Sequence, residues 1–286
     1  MNDLKLYVGL IRGDKRYNHV SLKVPTGGSL AVLDGVDTSG SARLLRLLEQ
    51  TIVSFKDKSG NSFNPEVMDL HQLYVEDCWK IARESIRLIR NLESLIFPEY
   101  FYCQVCSSMG KANYTKVEED WDALVEANLI DAFYLEDLPD LTYTTELKNG
   151  IVIPELRTAP GGTYKKIKRG PITLGAMIAL QKDEWASKTE ANMITASWDA
   201  SIVEIPGMPP KTWNVYFRRR RDESFCKQFI VTNEDQEIMI KDSERQKIGM
   251  DFTHRSVKCS TCRSEIGGTA DFTNFFSALL PMKSAR

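Results

Sequence analysis

Residues 256–268 read SVKCSTCRSEIGG, in which two cysteines are separated by two residues and followed by a pair of glycines. A second pair with the same spacing stands in EYFYCQVCSSMGKANY, residues 99–114. Each stretch combines a β-prone approach, a C-x-x-C spacing and a later glycine, which is the pattern of a zinc knuckle. In a knuckle the chain turns tightly beside the sulfur atoms, and glycine tolerates the positive φ that such turns use. Structural zinc commonly takes four thiolates, so each pair is half of a site.

The two cysteine pairs complete each other, since neither has other ligands close by. His254 is the only histidine near the second pair, and none lies near the first. Cys78 and Cys226 are predicted to be buried apolar residues. Two alternatives stay open: one or both pairs could be without metal, or two separate sites could be completed by other ligands or another chain. The sequence predicts one structural zinc ion, held by Cys103, Cys106, Cys259 and Cys262.

The composition is that of a globular protein, and it limits the classes of function that the chain can have. The 286 residues are 42% hydrophobic and 27% charged, which suits one large domain or two compact ones. The formal net charge of -2 argues against a chain that binds nucleic acid over its whole surface. No apolar run approaches the roughly 20 residues that span a bilayer, and the start of the chain is unlike a signal peptide. These features predict a cytosolic chain without a membrane segment, in which cysteines stay reduced.

The hydrophobic pattern predicts an α+β fold. The runs LKLYVGLIR and NHVSLKVPTGG indicate a first hairpin, and Asn149–Gly150 between β-prone runs predicts the turn of a second one. Apolar residues at helical spacing predict helices over 41–55, 69–97, 116–133, 172–182 and 233–247. The third of these begins with dense carboxylates, which are interpreted as an acidic helix start rather than a cation site. They are Glu118, Glu119, Asp120 and Asp122.

The two halves of the chain resemble each other in the order of their sequence features. Each has a β-hairpin, a Gly-Gly turn (VPTGGS and TAPGGTY), helices and then a C-x-x-C pair. We therefore predict two β-hairpin-plus-helix halves, residues 1–145 and 146–286, joined around the four-cysteine zinc-knuckle site. An ancient duplication is one hypothesis for this order. Chance similarity is the other, because identity outside these features is low.

The residue types needed for catalysis do not gather in recognisable motifs. His19, His71 and His254 stand in unrelated contexts. The sequence contains no nucleotide-binding loop, nucleophile elbow or metalloprotease motif. Zinc held by four thiolates has no open position for a substrate, so the predicted site is structural. The chain is therefore predicted not to be an enzyme.

One basic stretch supports an alternative function. Four arginines, Arg218 to Arg221, follow the aromatic run TWNVYF, and basic charge beside aromatic rings can bind phosphates and stack bases. Zinc knuckles also occur in RNA-binding modules. The alternative is therefore a zinc-knuckle nucleic-acid-binding or transcription accessory protein. Asp222 and Glu223 follow at once, and they favour instead a solvated turn or a contact with an acidic protein.

The end of the chain carries an apolar stripe. In DFTNFFSALLP, residues 271–281, phenylalanine and leucine recur at helical spacing, with Pro281 as a stop. Apolar side chains left exposed in this way invite association. We expect the stripe to pack either on its own chain beside the zinc site or against a partner.

The order of these features resembles one protein family. The Gly-Gly turn after an early strand, the helix ending at EYFYCQVC, the hairpin leading into ELRTAPGG and the closing VKCSTCRSEIGGTADFTNFF together resemble baseplate hub and tail-assembly proteins of T-even-like tailed bacteriophages. The resemblance implies a structural or assembly component of a contractile-tail baseplate, made in the host cytoplasm and carried in the virion. It implies other tail and baseplate proteins as partners in a symmetric assembly, with neither a membrane nor nucleic acid among them.

The two knuckles depart from the C-P-x-C-G form of zinc ribbons. Gln104 and Ser260 stand where that form has proline. Ser107 and Arg263 stand where it has glycine. Both knuckle turns are therefore expected to be looser than in that form.

Overall fold

The computed structural model describes most of the chain as a mixture of helices and strands, which confirms the α+β class at this coarse level. The predicted arrangement of two β-hairpin-plus-helix halves is a separate and more detailed prediction than the fold class. The described residues are 2–24, 40–93, 96–111, 114–135, 141–153, 161–184, 186–189, 196, 200–208, 232–243, 248–251 and 256–267.

The elements are numbered in chain order. The strands are β1 (Asn2–Arg12), β2 (Lys15–Leu22), β3 (Ile52–Lys56), β4 (Ser62–Phe63), β5 (Ile96–Tyr102), β6 (Tyr114–Asp120), β7 (Asp131–Phe133), β8 (Tyr143–Ile153), β9 (Gly162–Arg169), β10 (Ile202–Glu204), β11 (Gly249–Asp251), β12 (Ser256–Lys258) and β13 (Glu265–Gly267). The helices are α1 (Gly40–Thr51), α2 (Val67–Leu70), α3 (Val75–Arg90), α4 (Gln104–Ser108), α5 (Trp121–Glu126), α6 (Leu174–Gln181) and α7 (Asn233–Ser243), with a 3-10 turn over Ala186–Lys188.

The described residues form two compact units. The first unit takes in those of 1–65, 76–134 and 248–286, and the second those of 66–75 and 135–247. This division differs from the predicted domains, residues 1–145 and 146–286. The segment with the second C-x-x-C belongs to the first unit, because β11 pairs with β7 and the cysteines of both pairs share one buried cluster.

The first unit contains a four-stranded antiparallel sheet in the order β1-β2-β3-β4. β1 and β2 form the predicted hairpin, with Arg12 paired to Lys15 across the turn. Asp77 of α3 accepts hydrogen bonds from the backbone of β1 and so ties this helix to the sheet edge. Apolar side chains of the sheet, α1 and α3 supply buried residues, among them Leu6, Leu10, Leu22, Leu44, Leu47, Leu48, Phe55, Ile81 and Ile86.

Helix α1 ends earlier than the sequence predicts. It stops at Thr51, and Ile52–Lys56 forms β3, which pairs with β2. So short an apolar run suits either helix or strand by its pattern alone. Pairing with β2 satisfies the backbone groups of this segment and buries Phe55, which decides for the strand.

The helix predicted over 69–97 is also wrong as one continuous element. It is interrupted after Leu70, and α3 begins only at Val75. In the gap, Tyr74 forms an isolated β-bridge with Thr173, and the Val75 N–H donates to Ile172 O at 3.1 Å. These pairings with a distant segment replace helical hydrogen bonds, so the chain leaves the helix.

The same predicted helix ends before Phe97. α3 stops at Arg90, Asn91 takes a left-handed φ of 50°, and Ile96 already starts β5. Of the apolar residues whose spacing predicts this helix, four in the earlier part are buried, while Leu92 and Ile96 are exposed. The buried members are Leu70, Leu73, Ile81 and Ile86.

The helix predicted over 116–133 is wrong as one continuous element. Tyr114–Asp120 forms β6, which pairs along its length with β5, and only Trp121–Glu126 is helical. Asp120 caps that short helix by accepting from the N–H groups of Asp122 and Ala123. Glu118 and Glu119 therefore lie on a strand, whereas Asp120 and Asp122 occupy the N-cap and the first turn of the short helix, as the interpretation of an acidic helix start expects.

The second unit contains a three-stranded antiparallel sheet in the order β10-β9-β8, with α6 close to its predicted range. Arg169 is buried, and its Nη1 donates to Met239 O of α7 at 2.6 Å. The apolar core of this unit contains Leu147, Ile151, Ile167, Ile202, Ile205, Met208 and Met239.

The predicted hairpin turn at Asn149–Gly150 is wrong. Both residues lie inside β8, where the pairing with β9 is interrupted between Glu146 and Ile151. Gly150 has φ +88, so the left-handed conformation that suggested a turn forms a β-bulge instead.

Among the described residues, no helix is both long and apolar enough to cross a bilayer.

Candidate metal centre

The first cysteine pair sits where β5 passes into α4. Cys103 is the N-cap of α4, and its Sγ accepts the Cys106 N–H at 3.5 Å. The Ser107 N–H donates to Cys103 O at 3.0 Å, which closes the turn. The helical turn thus directs both sulfur atoms to one side, and Gly110, with φ +65, reverses the chain after it.

The second cysteine pair occupies the tight turn between β12 and β13. The Cys259 N–H donates to Ser264 O at 2.8 Å, and the Arg263 N–H donates to Cys259 O at 3.0 Å. Cys259 Sγ accepts the Thr261 N–H at 3.4 Å and the Cys262 N–H at 3.5 Å. Backbone N–H groups facing a sulfur atom are the arrangement that the knuckle pattern predicts.

The structure brings the four predicted cysteines together. Their Sγ atoms all lie within 4.8 Å of one another. Cys103 and Cys262 are separated by 3.6 Å between sulfur atoms, and so are Cys106 and Cys259. Zinc–sulfur bonds of about 2.3 Å in a tetrahedron place neighbouring sulfur atoms roughly 3.8 Å apart. The four thiols therefore fit one tetrahedral metal ion.

An apolar layer surrounds the four thiols. Phe101 and Ile266 are buried in the same cluster as the cysteines, and Val117 and Val257 pack against it. Three of the cysteines are buried, and Cys262 is partly exposed. Exclusion of water of this kind protects a metal–thiolate centre from solvent and fixes its dielectric surroundings.

Thr115 holds the second knuckle against β6. Its Oγ1 accepts the Ser260 N–H at 3.0 Å and lies 3.3 Å from Ser260 Oγ. The sequence analysis did not identify this residue, because a threonine on a strand carries no local sign of a contact 145 residues away.

Contacts with α3 and β7 hold the segment before the second knuckle in the first unit. β11 pairs with β7, and Arg83 Nη1 lies 3.2 Å from Met250 Sδ. Gly249 has φ +87, and a Cβ added there would lie 3.1 Å from Glu76 Cγ. A glycine is therefore required where β11 passes close to α3.

Hydrogen bonds and burial shift the thiol pKa values in opposite directions. The Cys262 and Thr261 N–H groups stabilise the Cys259 thiolate and lower its pKa to about 6. Hydrogen bonding to Ser264 lowers the pKa of Cys262. Burial raises the pKa of Cys106 to about 12. Cys259 is thus more readily ionised than Cys106, and a metal ion bound here would displace the proton of Cys106.

The other residues named from the sequence do not join this centre. Cys78 is fully buried, as predicted, and burial raises its pKa well above the usual value. Across the described ranges, the four cysteines are the one group of histidine, cysteine and acidic side chains close enough to hold a metal ion. Cys226, His254, the arginine run Arg218 to Arg221 and the stripe in residues 271–281 lie outside the described residues.

Comparisons of the chain with models of protein families, with curated proteins and with solved structures found no match.

Proposed function

We propose that the chain is a structural or assembly component of a bacteriophage tail baseplate, in the hub region, and that a structural zinc ion stabilises its fold. The observation that carries the zinc part of the proposal is the set of four cysteine sulfur atoms within 4.8 Å of one another. Four thiolates fill the coordination sphere of zinc, so no position is left for a substrate. The ion would cross-link two chain segments and perform no chemistry of its own.

Zinc is the ion that this donor set favours. Four sulfur ligands in a tetrahedron select zinc or iron–sulfur chemistry, whereas carboxylate and carbonyl oxygens suit magnesium and calcium. A closed tetrahedral site of four cysteines is one of the standard arrangements of structural zinc. Elemental analysis of the purified chain, together with its visible absorption, separates zinc from iron: zinc is colourless, and an iron–sulfur cluster is not.

The baseplate assignment rests on the resemblance in sequence order, and the metal centre supports its structural character. In this proposal two β-hairpin-plus-helix halves meet at the centre. The partners are other phage tail and baseplate proteins in a symmetric assembly. The protein is made in the host cytoplasm and carried in the virion. It acts through protein–protein contacts, for which a rigid, metal-stabilised fold provides a fixed surface.

The proposal is tested through the gene's neighbourhood and its deletion. We expect neighbouring genes for tail tube, tape-measure and baseplate proteins. We expect a phage without this gene to accumulate heads and incomplete baseplates in electron micrographs. The wild-type chain should restore complete tails, and a chain with Cys103→Ser and Cys259→Ser should not. Complete tails without the gene would overturn the baseplate function while leaving the metal content to be judged separately.

Binding to nucleic acid is the outcome that would favour the alternative. A zinc-knuckle nucleic-acid-binding or transcription accessory protein would bind single- or double-stranded nucleic acid with an affinity that falls steeply as salt rises. Replacing Arg218 to Arg221 by glutamine should then weaken binding and reduce that slope. Under the baseplate proposal, neither effect is expected.

A further inference from the structure

The first hairpin of each unit has the same irregular register. β1 and β8 each contain eleven residues. In both strands regular pairing stops after the fourth residue, Lys5 or Glu146, and resumes at the ninth, Leu10 or Ile151. Bulges can occur anywhere along a strand, so the same interruption at the same ordinal positions is a specific likeness.

The same glycine makes the bulge possible in both strands. Gly9 and Gly150 are each the eighth residue of their strand, with φ +87 and +88. A Cβ added to Gly9 would lie 2.6 Å from Tyr17 O, and one added to Gly150 would lie 2.9 Å from Tyr164 O. Those two tyrosines are each the third residue of the paired strand.

In each unit, a buried aspartate on a helix accepts hydrogen bonds from the bulge and so fixes the backbone of the bulge. Asp77 accepts the N–H groups of Tyr7, Val8 and Gly9, at 2.6 Å for the first and 2.7 Å for the last. Asp235 accepts three consecutive N–H groups in the same way, from Lys148 at 2.7 Å, Asn149 at 3.2 Å and Gly150 at 3.0 Å. Each aspartate is the third residue of its helix, and each follows a glutamate.

The third strand of each sheet repeats a second irregularity. In the first unit Ile52 pairs with the last residue of β2, and Ser54, two positions on, pairs with the residue before it. In the second unit Ile202 pairs with the last residue of β9, and Glu204 again pairs with the residue before it. Both third strands therefore carry one extra residue at the same point.

A cysteine knuckle follows the aspartate-bearing helix in both cases. Within the knuckles, the N–H of the residue after the second cysteine donates to the carbonyl of the first cysteine at 3.0 Å. The second cysteine's N–H donates to the first cysteine's sulfur at 3.5 Å in both. Across the centre, the first cysteine of each pair lies beside the second cysteine of the other, as a two-fold arrangement requires.

From these relationships we infer that the chain is an internal duplication of one unit, consisting of a bulged hairpin, a third strand, a helix with a locking aspartate and a C-x-x-C knuckle. Asp77 and Asp235 are the equivalent positioning residues, each fixing its hairpin to the helix that precedes a knuckle. One copy holds only half of the ligands for a tetrahedral metal. The ancestral unit therefore required a second copy of itself, and the present chain carries that dimer as a single fused polypeptide.

The two repeats have different side chains at some equivalent positions and the same residue at others. Tyr7 of the first bulge corresponds to Lys148 of the second. Glu76, which is partly exposed with a buried Oε2, corresponds to the exposed Glu234, which pairs with Lys148. The glycine and the aspartate are unchanged, because the backbone geometry depends on them and not on the bulge side chains.

Amide hydrogen exchange on the full-length chain tests this equivalence. In the wild-type protein, the amides of residues 7–9 and those of 148–150 should both exchange slowly, although each set lies on the outer strand of its sheet. Asp77→Asn and Asp235→Asn should each accelerate exchange at their own three amides by roughly ten- to a hundredfold, because an amide has one acceptor oxygen in place of two and its NH2 group would face a backbone N–H. Glu234→Gln, which removes a neighbouring exposed charge, should leave residues 148–150 protected.

The wild-type measurement alone can refute the inference, so a variant that fails to fold does not hide the answer. Rapid exchange of one set of three amides in the wild-type chain, at the rate of an open strand edge, would overturn it. Equal loss of protection in both sets from Glu234→Gln would also overturn it, because general charge removal would then explain the effect. Slow exchange in both sets, with loss confined to the unit of each aspartate variant, supports two equivalent copies.

Discussion

Cys103 Sγ lies 3.6 Å from Cys262 Sγ, although 159 residues separate the two cysteines. A metal ion at this position would close a loop of that length and hold the second knuckle onto the first. Structural zinc contributes on the order of 10 kcal/mol in small zinc domains, which is comparable to the net stability of a whole domain. The centre is therefore expected to govern the folding of the first unit.

Replacement of a single ligand should remove the metal and much of the stability. Cys259→Ser is expected to abolish stoichiometric zinc and to lower the melting temperature sharply, because three thiolates no longer close the site. Elemental analysis and thermal denaturation measure both effects. Cys78→Ala is the matched control, since Cys78 is buried in the same unit and lies outside the centre. It should cost some stability and leave one zinc ion per chain. Unchanged zinc content in Cys259→Ser would refute the site.

Glu76 should make the chain less stable as pH rises. Its Oε2 is buried and has no hydrogen-bond partner among the described residues, and burial raises its pKa to about 7, with a smaller contribution from the charge of Asp77. The unfolded carboxyl has a pKa of about 4.5. The folded state therefore binds the proton more tightly, and stability is lost as pH rises from about 4.5 to about 7.

Glu76→Gln imitates the protonated carboxyl and should remove this dependence. The variant is expected to exceed the wild type at pH 8 by at most about 3 kcal/mol, and to match it near pH 4.5. Urea denaturation at both pH values measures the difference. Glu234→Gln is the control, because Glu234 is exposed and paired with Lys148. An equal gain from both variants at pH 8 would show a general charge effect and contradict the role of Glu76.

The bulge glycines should tolerate no side chain. Gly9→Ala and Gly150→Ala combine a left-handed φ with a close approach to a backbone carbonyl, at 2.6 Å and 2.9 Å from the added Cβ. Gly60 has a similar φ of +85 and open space around it, so Gly60→Ala measures the backbone strain alone. We expect a loss of about 1–2 kcal/mol for Gly60→Ala and a clearly larger loss at Gly9 and Gly150. Equal losses at all three positions would show that the close approach has no cost.

The two residues that replace the ribbon glycine should respond differently to glycine. Arg263 has φ +64, so Arg263→Gly relieves a left-handed conformation and is expected to be neutral or slightly stabilising. Ser107 lies within α4, and Ser107→Gly should cost about 1 kcal/mol as a helix-interior glycine. Thermal denaturation of the zinc-loaded variants provides the comparison. A loss at Arg263 as large as that at Ser107 would mean that the arginine side chain stabilises the second knuckle.

The candidate centre was predictable from the sequence, because its signal is local. Each C-x-x-C spacing places two thiols at one turn, and the absence of nearby ligands implies that the two turns meet. The supporting residues were not predictable. Thr115 and the Gly249 approach to Glu76 depend on which strands become neighbours, and no spacing within the sequence encodes that choice.

The predictions for the fold failed at the points where distant segments compete with local preference. The run after Thr51 fits a helix by its apolar pattern, and the run before Trp121 fits one by its acidic start. Pairing with β2 and β5 nevertheless satisfies the backbone groups of both runs as strands. Asn149–Gly150 has the composition of a hairpin turn. The carboxylate of Asp235 instead accepts the N–H groups of these residues within β8, so the same glycine forms a bulge.

The sequence by itself determined the α+β class, the first hairpin, the buried helical stripe around Ile81 and the four thiols of the centre. Those features depend on periodicity, spacing and residue type, which act over a few neighbouring residues. Only the tertiary structure decided where helices stop, which aspartate locks which bulge and which unit contains the second knuckle. Backbone hydrogen bonds and burial can be satisfied by partners more than a hundred residues away, as Thr115 and Ser260 are, so the final conformation of a segment follows from the fold around it.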